Sequence, residues 1–158
     1  YRDVNAFTEE YRRWGVGSGP MHKIPDEARF VNRVCDLLVM EAGNELRIAP
    51  GAPRRWLEPG RPIELYSAHT VFGEVSYVMQ HGAAPETVTA HIEAKISKSP
   101  EKIVLYVRAP FDKPIRSVAV NGRQWDKWDA ERETVDLDPK GGVFDVIVSY
   151  RQNENEKR

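Results

Sequence analysis

The hydrophobic period changes near Gly43, and no other feature constrains the fold as strongly. Ahead of it the patterning is helical. Pro25-Asp26-Glu27 reads as a helix start, with proline at an early position and two acids where the positive end of the helix dipole favours them. Ala28, Val31, Val34, Cys35, Leu38 and Val39 then recur at three- and four-residue spacing, the signature of one buried face. Leu37 and Met40 widen that stripe, and Gly43 is a natural stop. A weaker helix is expected over residues 5–14 from Phe7, Tyr11 and Trp14, followed by a breaker-rich loop at 15–20.

Beyond Gly43 the period is two. Leu46 and Ile48, Ile63 and Leu65, Val75 to Met79, Val88 to Ala94, Ile103 to Val107, Ile115 to Val120, Thr134 to Leu137 and Val143 to Tyr150 form successive runs. Turn signals separate them, and Asn121-Gly122 is the clearest hairpin. The fold class is therefore mainly β: an antiparallel β-sandwich of about eight strands with an N-terminal helical segment. The expected organisation is a helical segment at 1–43, a β-sandwich domain at 44–151 and a disordered polar tail at 152–158.

Composition narrows the function. Lys and Arg number 23 and Asp and Glu 24, a net charge of −1, so no basic excess holds a polyanion and nucleic acid is not an expected partner. No apolar run is long enough to span a bilayer, and no membrane partner is expected. Cys35 is the lone cysteine, which excludes a disulfide framework and a cysteine zinc cluster. The chain opens on Tyr1 with no initiator Met and no signal peptide, so it reads as a fragment or a processed product.

Several stretches resemble a known architecture. Residues 21–30 (MHKIPDEARF), 36–41 (DLLVME), 46–50 (LRIAP) and 53–57 (PRRWL) are similar to the end of a large bacterial glycoside hydrolase. In that architecture a six-hairpin (α/α)6 barrel is followed by a C-terminal β-sandwich, as in α-L-rhamnosidase-like enzymes. Residues 68–77 (AHTVFGEVSY) resemble the strand-loop-strand that opens that sandwich, and 115–122 (IRSVAVNG) a strand near its end. The resemblance implies that residues 1–43 are the last barrel helices and that the sandwich behind them is a non-catalytic accessory domain. It further implies a secreted or periplasmic parent whose catalytic acids lie upstream. The expected partner is that upstream barrel, with poly- or oligosaccharide as a further one.

Candidate chemistry is thin. Glycosidases need two carboxylates about 5 to 9.5 Å apart. Asp26-Glu27, Glu9-Glu10 and the loop acids Asp126, Asp129 and Glu131 are all explained by dipoles or solvation. No catalytic residue is assigned, and neither a metal nor a cofactor is expected. His22, His69, His81 and His91 are scattered without metal-ligand spacing. Trp125 and Trp128 flank Asp126-Lys127 after the hairpin and are the candidate sugar platform, since flat exposed indoles stack on sugar faces. Arg54, Arg55, Trp56, His69 and Phe72 are the candidate interface with a neighbouring domain. Three readings remain open: an accessory domain, a carbohydrate-binding module, and a protein-interaction sandwich unrelated to sugars.

Overall fold

A computed structural model describes residues 24–111 and 113–151. The chain divides into two units between Asp36 and Leu37. The described part of the first is a helix, α1, that runs over Ile24–Leu38 into the start of the second. Eleven strands come after it: β1 Val39–Ala42, β2 Glu45–Ile48, β3 Ile63–Thr70, β4 Gly73–His81, β5 Thr87–Ile96, β6 Lys102–Tyr106, β7 Ile115–Val120, β8 Arg123–Trp125, β9 Trp128–Asp129, β10 Thr134–Leu137 and β11 Gly142–Tyr150.

The strands form a five-stranded sheet in the order β1-β2-β6-β10-β9 and a six-stranded sheet in the order β3-β4-β5-β11-β7-β8. Alternation explains why the sheets close on each other. In β11, Phe144, Val146, Val148 and Tyr150 are buried, while Val143, Asp145 and Ile147 face out. In β5 the inward set is Val88, Ala90, Ile92 and Ala94. Leu46, Ile48, Ile103, Leu105 and Val135 from the other sheet join the same apolar cluster. Each such aliphatic side chain contributes about 1.5–3 kcal/mol by leaving water.

The structure corrects several expectations. The helix does not run to Gly43. It stops at Leu38, and Val39–Ala42 pairs antiparallel with Glu45–Ile48 as a hairpin. Gly43, at φ 62°, is the turn of that hairpin rather than a helix cap. Local spacing favours a helix for Val39 and Met40, but ladder bonds to β2 win once β2 has its own neighbour in β6. The mainly β, antiparallel class holds, with one parallel pair: β2 runs beside β6, Leu46 next to Ile103 and Ile48 next to Leu105. Eleven strands replace about eight, since β1, β8 and β9 are too short to show a period. Cys35, which by spacing should face a helix core, is exposed. The helix expected at 5–14, the loop at 15–20 and the tail at 152–158 lie outside the described residues.

The final carbonyls of α1 have no partner within the helix. Those of Leu37 and Leu38, which belong to the second unit, are met from inside it. Ala49 N donates to Leu38 O at 2.7 Å, Gly51 N to Leu37 O at 3.1 Å and the Tyr77 hydroxyl to Leu38 O at 3.0 Å. Tyr77 is buried, and desolvation pushes its phenol well above the ordinary range.

Gly73 turns β3 into β4 at φ 140°, and a Cβ there would stand 2.1 Å from the Lys95 carbonyl oxygen. Gly122, at φ 73°, has nothing within 4 Å of the same added atom. Gly73→Ala is expected to lower the unfolding free energy by about 3 kcal/mol or more, and Gly122→Ala by only about 1 kcal/mol. Urea titration of both variants measures the difference.

Candidate functional site

The residues singled out in the sequence fall in three places. Arg54, Arg55 and Trp56 sit on a 3-10 turn, Arg54–Leu57, that comes after Pro53. Leu57 anchors this turn in the core, while Arg54 and Arg55 are exposed. Trp56, half-buried, lines a shallow apolar groove of about 320 Å³ with Leu38 and Ile63. His69 and Phe72 flank the β3–β4 turn but point to different environments. His69 is exposed and lies opposite Glu74 across the ladder. Phe72, assigned to an interface by sequence, is 2% exposed in the chain's own core. The turn is tied by the Thr70 hydroxyl, which accepts from Phe72 N and Gly73 N at 3.2 Å and donates to Gly73 O at 2.8 Å.

Trp125 and Trp128 do not present two open indole faces. Both are half-buried and packed on the core. Trp125 Nε1 donates to Asp136 O at 2.9 Å, and the Lys127 ammonium stands 5.7 Å over the Trp125 ring. The cation thus stands against one face of the Trp125 ring, and the indole N–H is bonded to the backbone.

A different cluster gathers where the β4–β5 connection, the stretch before β7 and the residue before β10 meet. Arg54 forks onto Glu133, with Nη1 to Oε1 at 2.7 Å and Nη2 to Oε2 at 2.5 Å, and Nη1 also donates to Ala109 O at 3.0 Å. Lys113 is ion-paired with Glu86. The other Glu86 oxygen, Oε2, is buried and accepts no hydrogen bond among the described residues. Phe111 meets Tyr150 edge-on at 5.1 Å and His81 edge-on at 5.4 Å. Tyr150 binds these parts together: its N–H donates to Glu86 O at 3.0 Å and its hydroxyl to Val107 O at 2.8 Å. Burial raises the Tyr150 phenol far above its ordinary value, so it remains a neutral donor. Arg54, Phe111, Lys113, Glu131 and Glu133 surround a depression of about 240 Å³. Only Arg54 and Glu131 of this set were legible as candidates in the sequence. Glu86, Lys113 and Glu133 carry no motif there: Glu86 stands alone, Lys113 follows Asp112, and Glu133 closes the charged stretch Asp129-Ala130-Glu131-Arg132.

The outer face of the six-stranded sheet carries a second polar group. His91 Nδ1 lies 2.6 Å from Asp145, and Nε2 lies 3.6 Å from Glu93. Lys95 pairs with Glu74 at 2.7 Å, which holds the Glu74 carboxyl below its ordinary value. No set of three or more His, Cys, Asp or Glu among the described residues is arranged to hold a metal ion. No described helix is long and apolar enough to cross a membrane.

No protein-family model matches the chain, and no curated protein matches it. Among solved structures it is similar to a GH127 β-L-arabinofuranosidase from Geobacillus stearothermophilus T6, at 15% identity and a TM-score of 0.40. The match covers 82% of this chain and 19% of the arabinofuranosidase.

Two outcomes are expected from the ion pairs. The Glu133 side chain is 13% exposed, so Arg54→Ala strands a nearly buried carboxylate and lowers stability by about 2 kcal/mol. Adding Glu133→Gln recovers part of that loss, and a double-mutant cycle by denaturant unfolding measures it. The hydrogen bond to Asp145, then its charge and the nearby Glu93, hold the His91 pKa above the ordinary 6.5. The protonated ring therefore favours the folded state. This contribution is full below about pH 6.5 and fades as pH rises through the raised folded value. His91 is half-exposed, which limits the effect to about 0.5 kcal/mol. The stability difference between the parent chain and Asp145→Asn is expected at about pH 5.5–6.5 and absent in mildly alkaline buffer.

Proposed function

We propose that this chain is a non-catalytic accessory β-sandwich segment of a carbohydrate-active glycoside hydrolase, docking on a catalytic barrel upstream in the same parent chain. One observation carries the reading. On α1, Val31 is 57% and Val34 37% exposed, and Cys35 beside them is exposed as well. An apolar stripe held toward water forgoes about 1.5–3 kcal/mol for each fully uncovered side chain, and such surfaces mark interaction sites. The resemblance of residues 21–57 to a barrel end supplies the nature of the cover: neighbouring barrel helices. In this reading the helical front segment, drawn to residue 43 by sequence and ending at Leu38 in the structure, completes the barrel, and the sheets from Val39 onward form the accessory domain. Trp56 and its apolar groove suit a second point of support. The parent is an exported bacterial enzyme, and the catalytic acids belong to its upstream part.

The binding-module reading through Trp125 and Trp128 fits the geometry less well, because both indoles are engaged within the fold. A protein-interaction sandwich unrelated to sugars uses the same stripe and differs in what covers it.

Two measurements test the proposal. The isolated chain, offered a panel of aryl glycosides and oligosaccharides, is expected to show no turnover; hydrolysis at a rate typical of a glycosidase overturns the reading. In a second measurement Val31 and Val34 are both replaced by Lys. Unfolding free energy is expected to stay within about 0.5 kcal/mol, while self-association and hydrophobic-dye binding fall several-fold. A loss of about 3 kcal/mol makes the stripe part of an internal core and removes the docking surface.

A further inference from the structure

We propose that Asn121 is a latent modification site: its side-chain amide is lost as ammonia through ring closure by the Gly122 nitrogen, and only when the β7–β8 hairpin opens. This property of the hairpin does not rest on the carbohydrate reading of the chain.

The chemistry comes from the sequence. Of the six asparagines in the chain, Asn121 alone is followed by glycine. Once base removes its proton, the backbone nitrogen of the following residue can attack the asparagine Cγ. A new C–N bond forms, the Cγ–Nδ2 bond breaks, and Nδ2 takes a proton from solvent and leaves as ammonia. Water then opens the five-membered imide. Cleavage on one side leaves an aspartate. Cleavage on the other leaves a β-linked aspartyl residue, with one more atom in the backbone. Glycine favours the attack because no Cβ crowds the nitrogen.

The fold supplies the lock. Asn121 and Gly122 are both exposed, and nothing stands within 4 Å of a Cβ added at Gly122, so base and water have access. Backbone rotation is what holds the reaction back. Both residues are left-handed, Asn121 at φ 51° and Gly122 at φ 73°, as a tight two-residue hairpin requires. Asn121 shares this backbone with four other described non-glycine residues, Ala49, Ser67, Glu86 and Glu133. In the left-handed basin ψ is about +30 to +60°. That rotation sets the Gly122 nitrogen nearly anti to the Asn121 Cβ about the Cα–C bond. The imide ring needs the same two atoms nearly eclipsed, so ψ must swing through about half a turn before they can meet.

The side chain is held as well. Asn121 Oδ1 accepts from Asp145 N at 2.7 Å, Nδ2 donates to Val143 O at 3.0 Å, and the backbone N donates to Asp145 O at 2.8 Å. The Asp145 N–H also polarises the amide, and such a donor favours attack by stabilising the developing oxyanion. Position outweighs it: aligned intramolecular attack carries effective molarities of about 10⁵–10⁸ M, against about 10²–10³-fold for one oxyanion donor.

Release is a local event. β8 is a three-residue edge strand whose ladder joins it to β7 alone. Trp125 holds its far end by packing on the core and donating Nε1 to Asp136 O. Short edge elements open without global unfolding. The β-linked product adds an atom to a turn built for two residues, so β8 does not close again and β7 becomes the sheet edge.

The test incubates the full chain in mildly alkaline buffer, native and in denaturing urea, and follows each asparagine by peptide mass and by separating aspartyl from β-aspartyl peptides. In urea Asn121 is expected to convert first, and its native rate is expected to be lower by about tenfold or more. Another asparagine converting first in urea overturns the site, and native and denatured rates within about twofold overturn the lock. Gly122→Ala is expected to slow conversion in urea several-fold; an equal rate means direct hydrolysis of the amide and overturns the ring-closure route. Trp125→Ala is expected to raise the native rate about threefold or more and to leave the rate in urea unchanged, whereas an unchanged native rate overturns gating by the hairpin. If that variant does not fold, the parent chain in urea below its unfolding transition takes its place. The rate is then expected to climb ahead of global unfolding, and a rate that climbs only with it overturns the local opening.

Discussion

Burial of one apolar layer between the two sheets is the constraint on which the remaining features depend. Tyr77, Met79, Ile92 and Val148 on one side and Leu46, Ile48, Ile103 and Leu105 on the other are at most 1% exposed. Their removal from water offsets the conformational entropy of ordering strands that are mostly joined by short turns. The parallel β2–β6 ladder matters most within this layer, because it attaches the early β1–β2 hairpin to a strand far along the chain. Without it Val39–Ala42 has no sheet to join, and the helical spacing of that stretch has no competitor.

The layer also determines where polar chemistry can collect. The long strands β4, β5 and β11 send mostly alternate side chains inward, so charged groups are pushed to the outer faces and to the ends of strands. The outer face receives Glu74, Lys95, His91 and Asp145, side by side through the ladder register. The strand ends receive Glu86, Lys113 and Glu133, which Arg54 joins from its 3-10 turn, around Tyr150 at the close of β11. The two groups differ in consequence. Facing pairs on an open sheet remain solvated and contribute tenths of a kcal/mol. Pairs at a strand end, one of them holding a nearly buried glutamate, are fixed well enough to shape a recess.

Legibility divides along the same line. The runs from Val75 to Met79, Val88 to Ala94 and Val143 to Tyr150 alternate cleanly and became β4, β5 and β11, because their period reports one buried face. Asn121-Gly122 became the β7–β8 turn, since both residues accept the left-handed backbone that a tight hairpin needs. Val39 and Met40 mislead because a four-residue strand is too short for its period to compete with a helical stripe beside it. Trp125 and Trp128 draw attention as bulky aromatics, yet both pack on the core, and Trp125 also donates its N–H to Asp136 O. Glu86 and Glu133 are invisible: a glutamate does not announce left-handed backbone, and their partners lie 27 and 79 residues away.

The amino-acid sequence by itself determined the class of fold, the position of most long strands, a helical start within one residue of Pro25 and the stripe along α1. Those properties depend on residue spacing within one segment, and a segment carries its own spacing wherever it goes. Tertiary structure alone decided that the helix yields to a strand at Val39, that β2 lies parallel to β6, and that Arg54 clasps Glu133. Each of these is a choice between partners distant in sequence, and such choices are made by whichever pairing leaves the least apolar surface wet and the fewest buried polar groups unmatched.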